Sequence, residues 1–148
     1  MNSKEKIFLG SIGLIYRKKD GQLEFLVVEN TKTKNITFVA GAKEENDNLL
    51  IDTVKREIKE ELGWSTEKMK FEPTEVKHEF IFGPNKKERA GHPGSYQVFL
   101  IDSTNTENKN SFTEELKNIK WLSKNQVMDA LTFPDLKEVF QKATNNLL

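Results

Sequence analysis

The segment from Leu49 to Leu62 is the part of this sequence that most restricts how the chain folds. Its apolar residues recur at three- and four-residue steps, which is the spacing of one face of an α-helix. They are Ile51, Val54, Ile58 and Leu62. Gly63 follows at once and predicts the end of the helix, because glycine readily adopts the left-handed conformation found there. At the other end, Asp47 or Asn48 is expected to cap the first turn.

Segments rich in β-branched and large apolar residues lie on both sides of this helix. Asp20-Gly21 separates the first two of them and predicts a β-hairpin. The predicted strands are Ile7–Arg17, Leu23–Glu29, Ile36–Ala40, Val76–Phe82, Tyr96–Ile101 and Leu116–Leu122, and two later helices are Asn125–Leu131 and Asp135–Leu147. A loop is predicted over Gly41–Asn48. This order predicts the α/β class, of the α+β type, with a mixed β-sheet sandwiched between helices.

Length and composition limit the possible partners of the chain. Its 148 residues fit one domain, and 23 basic residues balance 23 acidic ones, so no overall field would hold nucleic acid or an anionic membrane. The absence of cysteine excludes disulfides, thiolate zinc sites and cysteine nucleophiles, and it fits a reducing cytoplasm. The apolar stretch Ile7–Tyr16 is too short to span a bilayer. We therefore expect a single cytoplasmic domain over residues 1–148, monomeric or homodimeric, that binds a small molecule.

Three glutamates fall on one strip of the predicted helix. On a helical wheel at about 100° per residue, Glu57, Glu60 and Glu61 lie within roughly 100° of one another beside the apolar stripe. Clustered carboxylates raise one another's pKa unless a cation compensates, and Arg56 is spaced to pair with Glu60. Oxygen ligands at this density suit Mg²⁺ or Mn²⁺. A solvated acidic helix face fits the same pattern.

The sequence around these glutamates resembles the second half of the Nudix box. Residues 56–64 read Arg-Glu-Ile-Lys-Glu-Glu-Leu-Gly-Trp, which matches Arg-Glu-apolar-x-Glu-Glu-x-Gly-apolar at every specified position. In the first half, Gly41 and Asp47 keep the five-residue spacing with Asp in place of Glu, but eight residues instead of seven then precede the arginine. A register without this insertion would use Ala42 and Asn48. We prefer the first register.

This resemblance implies a Nudix hydrolase, which uses a divalent metal, Mg²⁺ or Mn²⁺, to cut a phosphoanhydride bond of a nucleotide. Carried over position by position, it makes Glu60 and Glu61 the principal metal ligands. Glu57 becomes a ligand or the general base, and Arg56 orients the carboxylates as part of the catalytic group. Gly41 offers its backbone carbonyl as a further metal ligand.

Residues outside the helix are further candidates. Glu114 and Glu115 precede a predicted strand where some relatives carry an extra acidic residue, so either is an alternative base, although a charged loop explains them too. The basic residues Lys86, Lys87 and Arg89 are expected to bind substrate phosphates, because ammonium and guanidinium groups bind them well. A solvated loop explains these three equally well.

Two other segments resemble different Nudix enzymes. Residues 120–122 (Lys-Trp-Leu), 131–133 (Leu-Thr-Phe) and 137–139 (Lys-Glu-Val) resemble the tail of asymmetrical diadenosine tetraphosphatases. Those enzymes usually carry Pro-Lys-Gly-His before the box, whereas residues 39–42 read Val-Ala-Gly-Ala. Residues 88–99 instead resemble nucleoside triphosphate and dihydroneopterin triphosphate pyrophosphatases. Both substrate types stay open, as does a Nudix-fold module that binds nucleotide without hydrolysing it, which the altered first half of the box allows.

Overall fold

The computed structural model describes residues 6–106 and 118–147, in which seven β-strands form one sheet and three α-helices pack against it. The strands are β1 (Phe8–Lys19), β2 (Gln22–Glu29), β3 (Ile36–Thr37), β4 (Val39–Ala42), β5 (Lys70–Ile81), β6 (Pro93–Asp102) and β7 (Ile119–Leu122). The helices are α1 (Leu50–Leu62), α2 (Lys124–Ala130) and α3 (Pro134–Thr144). Parallel and antiparallel pairs both occur, so the predicted mixed sheet between helices is confirmed.

Strand β1 forms the centre of the sheet. The order along the sheet is β3-β2-β1-β6-β5, and β4 also pairs with β1 while β7 pairs with β2. The hairpin predicted at Asp20-Gly21 is confirmed, because β1 and β2 pair antiparallel up to Lys19 and Gln22. Both turn residues have positive φ, 51° and 81°, as a tight hairpin turn requires. On its other side β1 runs parallel to β6.

The sheet has an apolar core on each face. Helix α1 buries Val54, Ile58 and Leu62 against one face. Helices α2 and α3 cover the opposite face, where Val127 and Phe140 are fully buried. Strand β1 serves both cores by alternation, with Ile15 on the α1 side and Ile12 on the other. Full burial of one such side chain stabilises the fold by about 1.5–3 kcal/mol.

Helix α1 lies close to β1 because small residues of β1 face it. A Cβ at Gly13 would come within 3.0 Å of Val54 Cγ2 and 2.9 Å of Ile101 Cδ1. Two residues earlier, the hydroxyl of Ser11 donates a 2.6 Å hydrogen bond to the carbonyl oxygen of Leu50. These contacts fix both the distance of the helix from the sheet and its position along the strand.

The strand predicted over Ile36–Ala40 is in fact two strands. Residues before Phe38 pair with β2, whereas β4 pairs with β1, and Phe38 itself is buried between them. The apolar pattern does not reveal this change of partner, because both short strands carry apolar side chains. As a consequence Gly41 lies in β4, and the predicted loop Gly41–Asn48 begins only after Ala42.

The prediction that Asp47 or Asn48 caps α1 was wrong. The helix has Leu49 as its N-cap, and the carboxylate of Asp52 accepts a 2.9 Å hydrogen bond from the Leu49 amide. Gly63 ends the helix with φ of 69°, as predicted. The carboxylate of Asp47 is therefore available for other partners.

Strand β5 begins at Lys70, six residues before the predicted start at Val76. The register of its pairing with β6 shifts between Pro73 and Lys77. The first half of the strand was not predicted, because a proline within a segment argues against a strand. The predicted strand Leu116–Leu122 is seen from Ile119 onward, and its first residues lie outside the described part of the chain. In the described residues no helix is long and apolar enough to cross a membrane.

Candidate functional site

Arg56 joins the loop before α1 to the carboxylates on that helix. Its Nη2 donates hydrogen bonds to Asp47 Oδ2 at 2.8 Å and to the carbonyl oxygen of Ala42 at 2.9 Å. Its Nη1 donates to Glu57 Oε2 at 3.0 Å and to Glu60 Oε1 at 3.1 Å. One guanidinium therefore donates hydrogen bonds to three carboxylates, which its planar set of five N–H donors allows.

Asp47 is the buried partner of this guanidinium. The residue is 4% exposed, and its Oδ2 also accepts hydrogen bonds from Thr53 Oγ1 at 3.0 Å and from the amide of Glu44 at 3.0 Å. The hydrogen bonds from Arg56 and Glu44 hold the pKa of the Asp47 carboxyl well below its usual range. Asn48 is exposed. The structure thus brings to the arginine Asp47, the acidic residue of the preferred register.

Glu57 occupies space that only a glycine at position 41 leaves open. A Cβ at Gly41 would come within 2.7 Å of Glu57 Cγ and would overlap the carboxylate itself. Burial raises the pKa of Glu57, while the adjoining Glu61 and Arg56 act in the opposite direction. The glycine therefore admits the glutamate side chain between β4 and α1.

Glu61 is the glutamate whose carboxylate has the least compensation. Its Oε2 is buried and has no hydrogen-bond partner among the described residues. Burial, followed by the charge of Glu57, raises the pKa of Glu61 to about 8. Such an atom is costly to bury alone and is well placed to bind a cation or a hydrogen-bond donor from a ligand.

The donor set fits a hard divalent cation. Three carboxylates lie on one strip of α1, and the buried Oε2 of Glu61 has no partner in the described chain. Within residues 6–106 and 118–147, no three acidic or histidine side chains already surround a common point. Arg56 Nη1 lies 3.0 Å from Glu57 Oε2 and 3.1 Å from Glu60 Oε1. A cation at Glu61 would compete with the guanidinium for these two carboxylates.

A cavity of about 520 Å³ opens beside Glu61 toward β5 and α3. Four of its lining residues are aromatic, and the rings are Phe38, Phe80, Tyr96 and Phe133. Phe133 is 40% exposed and lies at the junction of α2 and α3, so its ring is accessible to a ligand. The volume lies within the range of roughly 300–1,000 Å³ that is usual for small-molecule sites.

His78 and Asp135 form a polar pair at this cavity that the sequence pattern did not mark. His78 Nε2 lies 2.6 Å from Asp135 Oδ2, and the imidazole stacks on Phe80 with ring centroids 4.8 Å apart. The hydrogen bond with His78 lowers the pKa of Asp135. The two residues are 57 positions apart in sequence, and only the packing of α3 on β5 brings them together.

The three basic candidates after β5 point in different directions. Lys86 lines the aromatic cavity. Lys87 is exposed and has φ of 49° at a kink between two short 3₁₀ turns. The guanidinium of Arg89 lies 5.9 Å from the ring centre of Phe8 and 5.7 Å from that of Phe82. Of the three, Lys86 alone lines this cavity. Glu114 and Glu115 lie outside the described residues.

Comparison with known sequences and structures decides the family. The family model described as NUDIX domain matches residues 8–143. The chain belongs to the NUDIX family. The resemblance to Nudix hydrolases seen in residues 56–64 is thereby confirmed. A comparison with curated protein sequences gave no significant match.

Solved structures of Nudix proteins share the fold of this Nudix chain. The Ap4A hydrolase of C. elegans has 17% identity and a TM-score of 0.75, with 97% of this chain and 100% of that chain covered. A NUDIX hydrolase from Listeria monocytogenes has 21% identity and a TM-score of 0.76, with 94% and 93% covered. The dihydroneopterin triphosphate pyrophosphohydrolase of E. coli has 18% identity and a TM-score of 0.74, with 95% and 99% covered. At these identities the likeness shows the fold.

In this Nudix protein, replacing Gly41 with alanine is expected to affect metal binding more than folding. The new Cβ would displace the flexible side chain of Glu57, so stability should change little while the carboxylate moves. Mn²⁺ affinity by electron paramagnetic resonance is expected to fall by about 10-fold or more, since misplaced partners of a metal site typically cost 10- to 100-fold. Gly83→Ala is the matched control, because a Cβ there meets nothing within 4 Å. An unchanged Mn²⁺ affinity in Gly41→Ala would contradict this reasoning.

Proposed function

We propose that this Nudix protein is a divalent-metal-dependent hydrolase that cleaves a phosphoanhydride bond of a nucleoside polyphosphate, of the dinucleoside tetraphosphate or nucleoside triphosphate type. The observation that carries the proposal is the position of Glu61. Glu61 belongs to the strip of carboxylates and also lines the cavity of aromatic rings, and its buried Oε2 has no hydrogen-bond partner in the part of the chain that the structure describes. Such a junction would bring the phosphates of a nucleotide to the carboxylates while its base enters the cavity.

In the proposed mechanism the residues of α1 and β4 have separate roles in metal binding, proton transfer and orientation of the carboxylates. Glu60 and Glu61, with the backbone carbonyl of Gly41, would hold the cation, and Glu57 would be a further ligand or the general base. Mg²⁺ or Mn²⁺ bound there would neutralise phosphate oxygens and lower the pKa of the attacking water. As the general base, Glu57 would take the proton of the attacking water, and burial raises the pKa of its carboxyl, which favours proton uptake. Arg56 orients the carboxylates through its fixed set of donors.

Residues around the aromatic cavity are proposed to bind the rest of the nucleotide. Lys86 is the first candidate for a phosphate contact, because it lines the cavity. Lys87 and Arg89 belong to the same loop. They are proposed as phosphate contacts that form when the loop changes conformation as the nucleotide binds. The balanced charge and the absence of cysteine support a small nucleotide as the partner and the cytoplasm as the location.

A module that binds nucleotide without hydrolysing it was the alternative prompted by the altered first half of the box. The contacts of Asp47 argue against it. Although Asp replaces Glu and one residue is inserted, the carboxylate lies 2.8 Å from Arg56. The arginine therefore keeps a buried acidic partner, and the geometry favours the hydrolase.

Product analysis with a panel of nucleotides tests the proposed function. The purified protein is incubated with diadenosine tetraphosphate, ATP or dihydroneopterin triphosphate, each with Mg²⁺, with Mn²⁺ and with EDTA. Cleavage of the tetraphosphate to ATP and AMP supports the first substrate type, and release of pyrophosphate supports the second. Activity is expected to disappear in EDTA. Binding without turnover of any nucleotide would overturn the hydrolase and support the binding module.

A further inference from the structure

A second cavity meets the aromatic one at Glu61. It has a volume of about 300 Å³ and lies where β2 and β3 end and β7 begins. Three residues line both cavities, and they are Asn30, Thr37 and Glu61. The carboxylate therefore faces the junction of two cavities and not the closed end of one pocket.

The two cavities differ in chemistry. In contrast to the aromatic cavity, the second one has no aromatic side chain among its described lining residues. It presents amides and hydroxyls instead, from Asn30, Thr31, Thr37 and Asn118. Glu29 also lines it, but its carboxylate lies 3.5 Å from Lys120 Nζ. Uncharged donors and acceptors of this kind bind hydroxyl groups and give no surface for stacking a base.

The side chain of Asn30 is oriented by its own loop. Its Oδ1 accepts hydrogen bonds from the amides of Lys32 at 2.9 Å and Thr33 at 3.0 Å. Asn30 lines both cavities, and its side-chain NH₂ group is the part of the amide that these two hydrogen bonds leave for a ligand. A donor held in this way is preorganised and loses little entropy when a ligand binds.

We propose that the second cavity binds a sugar ring that is joined through a phosphate chain to the nucleotide in the aromatic cavity. A substrate with a nucleotide at one end of its phosphate chain and a second sugar ring at the other is called two-armed below. The phosphate chain would then pass beside Glu61, which lines both cavities. This inference rests on the proposed function and narrows its substrate class. A dinucleoside polyphosphate and a nucleoside diphosphate sugar both carry such a ring, whereas a nucleoside triphosphate has none beyond its phosphates.

The double variant Thr31→Val/Asn118→Leu tests this assignment, because it removes two polar groups of the second cavity with little change in size. The kcat/KM values are measured for diadenosine tetraphosphate, ADP-ribose and ATP in the wild type and the variant. The ratio of the two-armed substrates to ATP is expected to fall about tenfold, which is the effect of losing one or two hydrogen bonds. The two-armed substrate with the larger loss identifies the source of the sugar ring. Thr31→Ser, which keeps the hydroxyl, is the matched control and should keep the ratio.

The outcomes separate this inference from the proposed function. An unchanged ratio, or an equal loss for all three substrates, would overturn the second subsite while leaving the hydrolase intact. If the wild type hydrolyses none of the three, the proposed function fails, and calorimetry then decides the subsite alone. In that case the preference for ADP-ribose over AMP should fall in the variant, and an unchanged preference would overturn the inference.

Discussion

Replacing Glu61 with glutamine is expected to lower metal-dependent turnover by more than about 100-fold, because outer partners of a metal site alone typically contribute 10- to 100-fold. Glu60→Gln should have a similar effect if both are metal ligands as proposed. The fold should survive the first change, because glutamine has nearly the shape of glutamate and adds no charge at the buried oxygen, which has no partner among the described residues. The measurements are kcat/KM with Mg²⁺, Mn²⁺ binding by electron paramagnetic resonance, and the thermal midpoint.

Glu67→Gln serves as the control for these variants. Glu67 is an exposed glutamate just beyond α1, so its replacement leaves the strip of carboxylates untouched. Turnover and Mn²⁺ affinity should both stay at the wild-type level. Undiminished turnover in both Glu60→Gln and Glu61→Gln would show that the ligands have been assigned wrongly.

Replacing Asp47 with alanine is expected to lower the free energy of unfolding by about 3 kcal/mol, as for other buried ion pairs that lose one partner. The guanidinium of Arg56 would keep its mostly buried position without the carboxylate that now lies 2.8 Å away. Because folding lowers the pKa of Asp47, this stabilisation is present above the usual aspartate pKa of about 4 and is lost as the pH falls below it. Urea unfolding at neutral and at acidic pH measures both effects.

Glu44→Ala is the matched control, because Glu44 contacts the same arginine from an exposed position. Its Oε2 lies 3.4 Å from Arg56 Nη1, and its side chain is 63% exposed. Exposed ion pairs contribute about 0–1 kcal/mol, so this change should cost little. Equal losses in Asp47→Ala and Glu44→Ala would mean that burial does not set the strength of the Arg56 contacts.

Local sequence patterns were sufficient to predict most of the secondary structure. The three- and four-residue spacing predicted α1, and the turn at Asp20-Gly21 predicted the pairing of the first two strands. The break at Phe38 was missed because it depends on which strand each neighbour pairs with. A pattern within one segment carries no such information. The first half of β5 was missed for the same reason, because its pairing with β6 stabilises an irregular strand that contains Pro73.

The candidate site was only partly predictable for a related reason. The strip of glutamates could be placed from the helical repeat, because it belongs to one element. Which carboxylate is buried could not, since the environment of Glu61 is formed by residues distant in sequence. The pairing of His78 with Asp135 and the different directions of Lys86 and Arg89 likewise arise from tertiary packing.

The small residues of β1 under α1 make the position of the carboxylates depend on the strand beneath the helix. Gly13 and Ser11 have no part in the proposed chemistry, yet they set how deeply the helix sits on the sheet. A larger side chain at either position would act as a spacer and raise every glutamate of the strip together.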